Sequence, residues 1–130
     1  MLTLFSVSIS FGQNLKKHQW IQRVLIITSK DSNQLQQQID LLTKDIKGLQ
    51  ERKLAIYQVT PEGYAKGTQR NNWTKTTDFY QKIKRKKDGF EVILIGLDGG
   101  VKLRQTKLLT LDKLFTLIDG MPMRRQELKN

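Results

Sequence analysis

The stretch from residue 89 to residue 104 constrains the fold more than any other part of the sequence. Residues 92–95 form a continuous run of β-branched residues and leucine, which is typical of a strand covered on both faces. Asp98-Gly99 follows, and this dipeptide favours a two-residue primed turn, whose central residues need positive φ angles. Residues 101–104 then alternate between apolar and basic side chains, as on a strand with one face in water. The stretch therefore predicts a β-hairpin.

A strand–helix–strand unit precedes the hairpin. Residues 23–28 and 54–59 are short, mostly apolar segments of the kind found in buried sheets. Between them lies a helix that Asp31 or Ser32 is expected to cap. Its apolar residues recur at intervals of 4, 3, 4 and 3, on one face, and they are Leu35, Ile39, Leu42, Ile46 and Leu49. Short links between these elements predict that the two strands are parallel neighbours.

Two further helices are expected. One begins near Thr77, after a stretch at residues 61–75 with no clear pattern, and its inward residues are Phe79, Tyr80 and Ile83. The other is capped by Thr110, carries a wide apolar stripe and ends at Gly120, with Pro122 as a stop. Residues 123–128 are expected to form a basic tail beyond it.

The chain is strongly basic, with 23 Lys and Arg against 12 Asp and Glu and a formal net charge of +11. Such a charge favours polyanionic partners, although it is equally compatible with solubility alone. The candidate binding residues are Lys82, Lys84, Arg85, Lys86 and Lys87, joined by Arg104, Arg124 and Arg125 if the last helix returns near the hairpin. An anionic glycan, a lipid surface or a protein is the expected partner. Nucleic acid is less favoured because few aromatic side chains are placed for base stacking.

The residue types present exclude several chemistries. The chain has no cysteine, which removes disulfides, thiolate metal ligands and thiol catalysis. His18 is the single histidine, and in its polar setting we expect an exposed surface residue. The glycines between residues 96 and 100 do not open a helix and lack the Lys-Ser/Thr pair of a phosphate-binding loop. The sequence thus predicts no catalytic residue, no metal site and no cofactor.

The first 13 residues give a separate expectation. Residues 2–11 are mostly apolar, too short to span a bilayer and about as long as the apolar region of a signal peptide. No basic residue precedes the run, so a buried strand of the mature domain is the alternative. We expect a signal-peptide remnant at residues 1–13, export to the periplasm or the extracellular space, and one domain over residues 14–130. A cytoplasmic location is the alternative.

Residues 95–104 and 111–125 together resemble the C-terminal signature of a domain-of-unknown-function family that is usually placed in the thioredoxin-like superfamily. Its members occur as small exported bacterial proteins and as the P-DUDES domains of some vertebrate extracellular matrix proteins. The signature residues are Arg23, Gly96, Asp98, Gly99, Gly100, Lys102, Arg104, Met121, Pro122, Met123, Arg124 and Arg125. The resemblance implies an α/β, three-layer thioredoxin-like fold, with a βαβ unit, a further helix and a ββα hairpin–helix unit. It implies no reaction.

In redox-active thioredoxins the catalytic cysteines follow the first core strand. Here Ser29, Lys30, Asp31 and Ser32 occupy that place, and a hydroxyl neither forms a usable thiolate nor a disulfide. No proline stands at residues 88–90, where such proteins carry a cis-proline. We therefore expect a non-catalytic, exported domain that binds an anionic or protein partner through its basic surface. The alternatives are an enzyme of peroxiredoxin-like ancestry with a non-thiol site near residues 29–32, and a nucleic-acid-binding protein.

Overall fold

The structure, a computed structural model, describes residues 16–69, 73–76, 78–83 and 89–129. It is a mixed α/β fold built on one six-stranded sheet. The strands are β1 (Arg23–Thr28), β2 (Leu54–Thr60), β3 (Gly63–Lys66), β4 (Thr74–Lys75), β5 (Glu91–Ile95) and β6 (Val101–Gln105). The helices are α1 (Ser32–Leu42), α2 (Ile46–Glu51), α3 (Asp78–Ile83), α4 (Leu111–Asp119) and α5 (Pro122–Lys129), with a 3₁₀ turn at Thr43–Asp45 between α1 and α2.

The strands lie in the order β4-β3-β2-β1-β5-β6. Strands β1 and β2 are parallel and in register from Arg23 opposite Leu54 to Thr28 opposite Val59, which confirms the predicted parallel pair. The other neighbours are antiparallel. Strand β1 therefore lies inside the sheet, which explains why its sequence is apolar from Val24 to Ile27.

Both faces of β1 are covered. Leu25 and Ile27 pack on one face with residues of α1 and α4, whereas Val24 and Ile26 pack on the other with Phe79 and Tyr80 of α3. The inward residues predicted for α3 are confirmed, because Phe79 and Tyr80 are buried and Ile83 packs against them. Helices α3 and α4 thus lie on opposite faces of the sheet.

The first helix is shorter than its apolar pattern predicts. Asp31 caps it as expected, since its carboxylate accepts a hydrogen bond from the Asn33 backbone N–H at 2.8 Å. The 3₁₀ turn at Thr43–Asp45 then changes the helical phase. Ile46 is therefore 45% exposed, and its predicted place on the buried face is wrong.

A buried polar side chain on α1 holds the loop that precedes α4. Gln38 is fully buried, although it interrupts the apolar stripe. Its Nε2 donates to the Leu109 carbonyl at 2.9 Å, and its Oε1 accepts from the Leu109 backbone N–H at 2.7 Å. The side-chain amide satisfies both backbone groups of Leu109, which has no strand neighbour to do so.

The hairpin after β5 is present, but its turn differs from the predicted one. The Gly96 N–H donates to the Gly100 carbonyl at 2.9 Å, and the Gly99 N–H donates to the Gly96 carbonyl at 3.0 Å. Gly99 has a φ of +84°, whereas Asp98 has no positive φ. This is a three-residue loop that ends in a left-handed glycine, so the predicted primed turn is wrong. A register shift at Ile95 accompanies it and leaves Val101 exposed rather than inward.

The region without a clear pattern contains two strands that extend the sheet. Strand β3 returns antiparallel beside β2 after Pro61 and Glu62, and β4 pairs with β3. A Cβ atom on Gly63 would overlap the Thr74 carbonyl oxygen, so the close approach of these strands requires glycine. Strands of four and two residues are too short to give a readable alternation.

Residues 122–129 form a helix, and the predicted basic tail is wrong. Gly120 ends α4 with an ordinary right-handed conformation, and Pro122 begins α5 instead of stopping the chain. Proline is tolerated there because the first helical N–H groups need no partner within the helix. Arg124 lies on the inward side of α5, where it is 4% exposed.

His18 is buried, so the predicted exposed histidine is wrong. Its Nε2 lies 2.8 Å from the Tyr57 hydroxyl, and the two rings meet edge to face. Burial lowers the pKa of His18, and the nearby Lys66 cation lowers it further. The neutral imidazole is the form that this site accommodates.

We expect the buried His18 to make stability fall in mild acid. As pH drops below about 6.5, the unfolded chain binds a proton at His18 while the folded protein does not, so folding loses free energy until pH reaches the lowered pKa. Carboxylates such as Asp119, whose pKa is lowered chiefly by the Arg52 hydrogen bond, lose their contribution at more acid pH. Urea unfolding of wild type and His18→Gln at several pH values in this range checks the prediction. If the free energy of unfolding changes equally with pH in both proteins, the prediction is contradicted.

Candidate functional site

A cavity of about 550 Å³ lies between the hairpin loop and the junction of α4 and α5. Its lining is mostly apolar and consists of Arg23, Leu97, Asp98, Lys102, Thr116, Leu117, Gly120, Met121, Pro122 and Met123. Six of these ten residues belong to the signature defined above: Arg23, Asp98, Lys102, Met121, Pro122 and Met123. Residues that are far apart in the chain, and that were grouped by resemblance alone, therefore enclose one space. We call it the signature cavity.

The hairpin side of the signature cavity is held by Asp98. Its carboxylate accepts from the Gly100 N–H at 2.9 Å and from the Lys102 ammonium at 2.9 Å. The Gly100 hydrogen bond, and after it that of Lys102, lowers the pKa of Asp98. A Cβ atom on Gly96 would stand 2.6 Å from Cε of Lys102, so the glycine leaves room for the lysine chain to fold over the loop.

The segment before β1 is tied to the same loop. The Trp20 N–H donates to the Leu97 carbonyl at 2.7 Å, and the Gln19 amide donates to the Asp98 carbonyl at 3.0 Å. Trp20 has a φ of +70°, a left-handed conformation that is unfavourable for an aromatic residue, and its side chain is 62% exposed. These backbone contacts hold the loop that forms one wall of the cavity.

An ion-pair network lies beside the cavity and joins β1, α2, α4 and α5. It contains three arginines and three carboxylates: Arg23, Arg52, Arg124, Glu51, Asp119 and Glu127. Arg52 donates two hydrogen bonds to the Asp119 carboxylate, from Nε at 3.0 Å and from Nη2 at 2.9 Å. Its guanidinium also lies 3.8 Å from the centre of the Phe115 ring. Cations and anions are equal in number, so the network is neutral as a whole.

Arg124 lies at the centre of this network. It donates to Asp119 at 3.1 Å, to Glu127 at 3.3 Å and to Glu51 at 2.9 Å. Its side chain is 4% exposed, so its role in the described structure is to join the C-terminal helix to the rest of the domain. Arg124 is thus not part of an exposed basic surface.

Arg23 is the most deeply buried charge. Its side chain is 0% exposed and lies at the N-terminal end of β1, against the cavity. Its Nη1 donates to the Arg52 carbonyl at 2.8 Å, and its Nη2 pairs with Glu127 at 3.2 Å. Its Nε has no hydrogen-bond partner among the residues that the structure describes. Arg23 is thus a cavity-lining residue that carries a buried, unpaired N–H donor.

Residues 29–32, which the resemblance places at the redox-site position, lie at the other end of β1. Arg23 begins the strand and Ser29 follows its end, so the two are roughly 20 Å apart at about 3.3 Å per residue. The Ser29 hydroxyl is taken up locally, since it donates to the Asp31 carbonyl at 2.9 Å and accepts from the Asp31 N–H at 3.0 Å. Lys30 is exposed. A smaller cavity of about 300 Å³ lies here, lined in part by Ser32 and Trp73.

The described members of the predicted basic surface, Lys82, Arg104, Arg124 and Arg125, lie in different parts of the fold. Lys82 is exposed on α3, which lies on the face of the sheet opposite α4, whereas Arg125 is exposed on α5, which Arg124 joins to α2 and α4. Arg104 pairs with Glu91 at 3.1 Å, at the Thr28 end of the sheet and far from Arg124. The remaining members of the predicted cluster, Lys84, Arg85, Lys86 and Lys87, lie outside the described residues.

Sequence reasoning missed the network because its members are spread over four elements. One signal was available. Arg23 is the first residue of a strand whose remaining residues are all predicted to be buried. A buried arginine needs a carboxylate partner. That requirement points to an acidic residue elsewhere in the chain, but the sequence does not say which of twelve it is.

Two features, a membrane-spanning helix and a metal-binding cluster, are not found among the described residues. None of the helices seen in those ranges combines the length and the apolar character needed to cross a bilayer. The same parts of the chain contain no group of three or more histidine, cysteine, aspartate or glutamate side chains placed to hold a metal ion.

Comparison with known proteins adds a family. A family model described as "Domain of unknown function (DUF4174)" matches residues 14–127. No curated protein and no solved structure matches the chain. The match covers the signature cavity and its ion-pair network, and its description gives neither an activity nor a ligand.

Proposed function

The chain belongs to the DUF4174 family of domains of unknown function, which confirms the predicted membership in such a family, and on that premise we propose a non-catalytic binding domain on a thioredoxin-like scaffold. Its binding site is the signature cavity. The observation that carries this proposal is that six signature residues line one mostly apolar space of about 550 Å³. That volume lies within the range of roughly 300–1,000 Å³ that small-molecule sites occupy.

The strand order supports the thioredoxin-like part of the proposal. The run β2-β1-β5-β6 contains one parallel pair followed by two antiparallel pairs. Helix α1 connects the parallel strands, α3 precedes β5, and α4 follows the hairpin. This is the βαβ, α, ββα order that the family resemblance implies, with β3 and β4 as additions at one edge.

A binding role rather than catalysis is supported by the residues at the old redox position. The chain has no cysteine, and the Ser29 hydroxyl is buried and bonded to the backbone of Asp31. The small cavity beside Ser32 is what the enzyme alternative rests on. It lies at the opposite end of β1 from the signature cavity, which favours the binding proposal.

The proposal predicts that filling the cavity abolishes binding of an apolar probe. Thr116 lines the cavity, and tryptophan in its place would occupy much of the space. We expect Thr116→Trp to weaken binding of the neutral dye N-phenylnaphthylamine at least about tenfold, which corresponds to about 1.4 kcal/mol. Dye fluorescence measured against protein concentration gives the affinity.

Gln126→Trp is the matched control, since Gln126 is exposed on α5 and does not line the cavity. It adds the same side chain and leaves the cavity open. If Gln126→Trp loses as much dye affinity as Thr116→Trp, or if neither variant differs from wild type, the assignment of the site is contradicted. Circular dichroism of both variants verifies that they are folded.

We also propose that the excess positive charge binds an anionic partner outside the cavity. The ion pairs described above cancel internally, so the net charge of +11 resides on the remaining side chains. Replacing Lys84, Arg85, Lys86 and Lys87 with alanine is expected to remove most retention on heparin and most of its salt dependence. Unchanged retention rules out this cluster as the polyanion site.

Export is part of the same proposal. It rests on the apolar run at residues 2–11, which lies outside the described residues. N-terminal sequencing of protein from fractionated cells tests it. A mature chain that begins near residue 14 in the periplasm or the medium supports export, whereas an intact Met1 on cytoplasmic protein favours the nucleic-acid alternative.

A further inference from the structure

We infer that the signature cavity takes an uncharged, largely apolar molecule with an oxygen acceptor, such as a ketone or an ester, and that this oxygen accepts a hydrogen bond from Nε of Arg23. The inference rests on the proposed function, because it names the ligand class of the same site. It adds a polar anchor and a charge requirement that cavity shape alone does not supply.

The anchor is Nε of Arg23, the one side-chain nitrogen of that residue that has no hydrogen-bond partner among the described residues. Both terminal nitrogens of its guanidinium are engaged, with the Arg52 carbonyl and with Glu127. Its Nε is buried and has no partner among those residues. A buried donor left unpaired is costly, and an acceptor oxygen brought in by a ligand removes that cost. Because Arg23 also lines the cavity, the anchor and the apolar space belong to one site.

The charge requirement follows from the ion-pair network behind the anchor. Arg23, Arg52 and Arg124 face three carboxylates, so the network is already neutral. The Lys102 ammonium at the hairpin is likewise paired with Asp98. A ligand carboxylate at Nε would add an uncompensated negative charge near Glu127, which already pairs with the same guanidinium. A ketone or ester oxygen accepts the same hydrogen bond and leaves the balance intact.

The rest of the cavity suits an apolar body. Leu97, Leu117, Met121 and Met123 supply aliphatic and thioether surface. Methionine side chains are unbranched and adjust readily to a guest, so we expect the pair on the α4–α5 junction to adapt to the shape of the ligand. The sequence Met-Pro-Met places one of them on each side of the proline that begins α5.

A pair of nine-carbon ligands tests the inference. Methyl heptyl ketone and nonanoate have similar apolar bodies and differ in charge at the oxygen end. Each is used to displace N-phenylnaphthylamine from the full chain in about 0.5 M salt, which screens the attraction of a basic protein for any anion. We expect the ketone to displace the dye at a concentration at least roughly tenfold lower than nonanoate.

Arg23→Lys tests the anchor, because lysine keeps the positive charge but lacks the Nε–H group. We expect its affinity for the ketone to fall roughly tenfold while the dye is retained, and we expect no change in Arg125→Lys, the same substitution at an exposed position. Nonanoate binding as tightly as the ketone, or unchanged ketone affinity in Arg23→Lys, overturns the inference. Neither result affects the Thr116→Trp test, and the ketone–nonanoate comparison stands even if Arg23→Lys fails to fold.

Discussion

Replacing Arg23 with alanine is expected to lower the free energy of unfolding by about 3 kcal/mol. The side chain is 0% exposed, and its removal leaves Glu127 and the Arg52 carbonyl without a donor from β1. It also opens a void beneath the cavity. Glu127 keeps one contact, to Arg124 at 3.3 Å, so the expected loss is at the lower end of that for a broken buried ion pair. Urea unfolding followed by circular dichroism measures it.

Arg125→Ala is the control for this experiment. Arg125 is adjacent to Arg124 on the same helix but exposed, and its removal is expected to change stability by less than about 0.5 kcal/mol. The double variant Arg23→Ala, Glu127→Gln should lose less stability than the sum of the two single variants. Each single substitution leaves the other member of the ion pair without its partner, and the double variant removes both. Strict additivity, or a loss in Arg23→Ala no larger than the control, contradicts the network.

The second large effect is expected at Gln38. Substituting leucine keeps a similar volume but removes both hydrogen bonds to Leu109, leaving a buried N–H and a buried carbonyl unpaired. Each unpaired group costs about 1–3 kcal/mol, so Gln38→Leu is expected to lose about 3 kcal/mol. The loss should appear as an earlier unfolding midpoint in urea with an unchanged slope.

Gln37→Leu is the matched control, because Gln37 is the exposed neighbour of Gln38 on the same helix. It makes the same chemical change without touching Leu109, and its expected effect on stability is below about 0.5 kcal/mol. A Gln38→Leu protein as stable as this control shows that the Leu109 backbone finds other partners. That outcome contradicts the role given to the buried amide.

The parts of the fold that sequence predicts well are those decided by neighbouring residues. The apolar run of β1 is correct in its bounds, and Asp31 and Thr110 cap their helices through hydrogen bonds two and three residues away. The strand β5 and the existence of a hairpin after it follow from equally local patterns. The turn type is less secure, because Asp98-Gly99 serves both a two-residue turn and the three-residue loop found here.

The parts that sequence misses depend on contacts between distant residues. Met-Pro-Met-Arg-Arg reads as a basic tail, since proline after Gly120 is a common stop. It is a helix in which Arg124 pairs with Glu51 of α2, with Asp119 of α4 and with Glu127 one turn further along α5. Gln38 likewise reads as a polar interruption until Leu109 is placed beside it. The cavity itself is visible only when the hairpin and the α4–α5 junction are brought together.

We propose that the binding site of this domain lies at the Arg23 end of β1 and not near residues 29–32. An amide ¹H–¹⁵N NMR titration with methyl heptyl ketone tests it most directly. We predict that shift changes concentrate in residues 96–103 and 116–123, around the signature cavity. Changes confined to residues 29–35 and 60–63, or none at saturating ketone, contradict the claim.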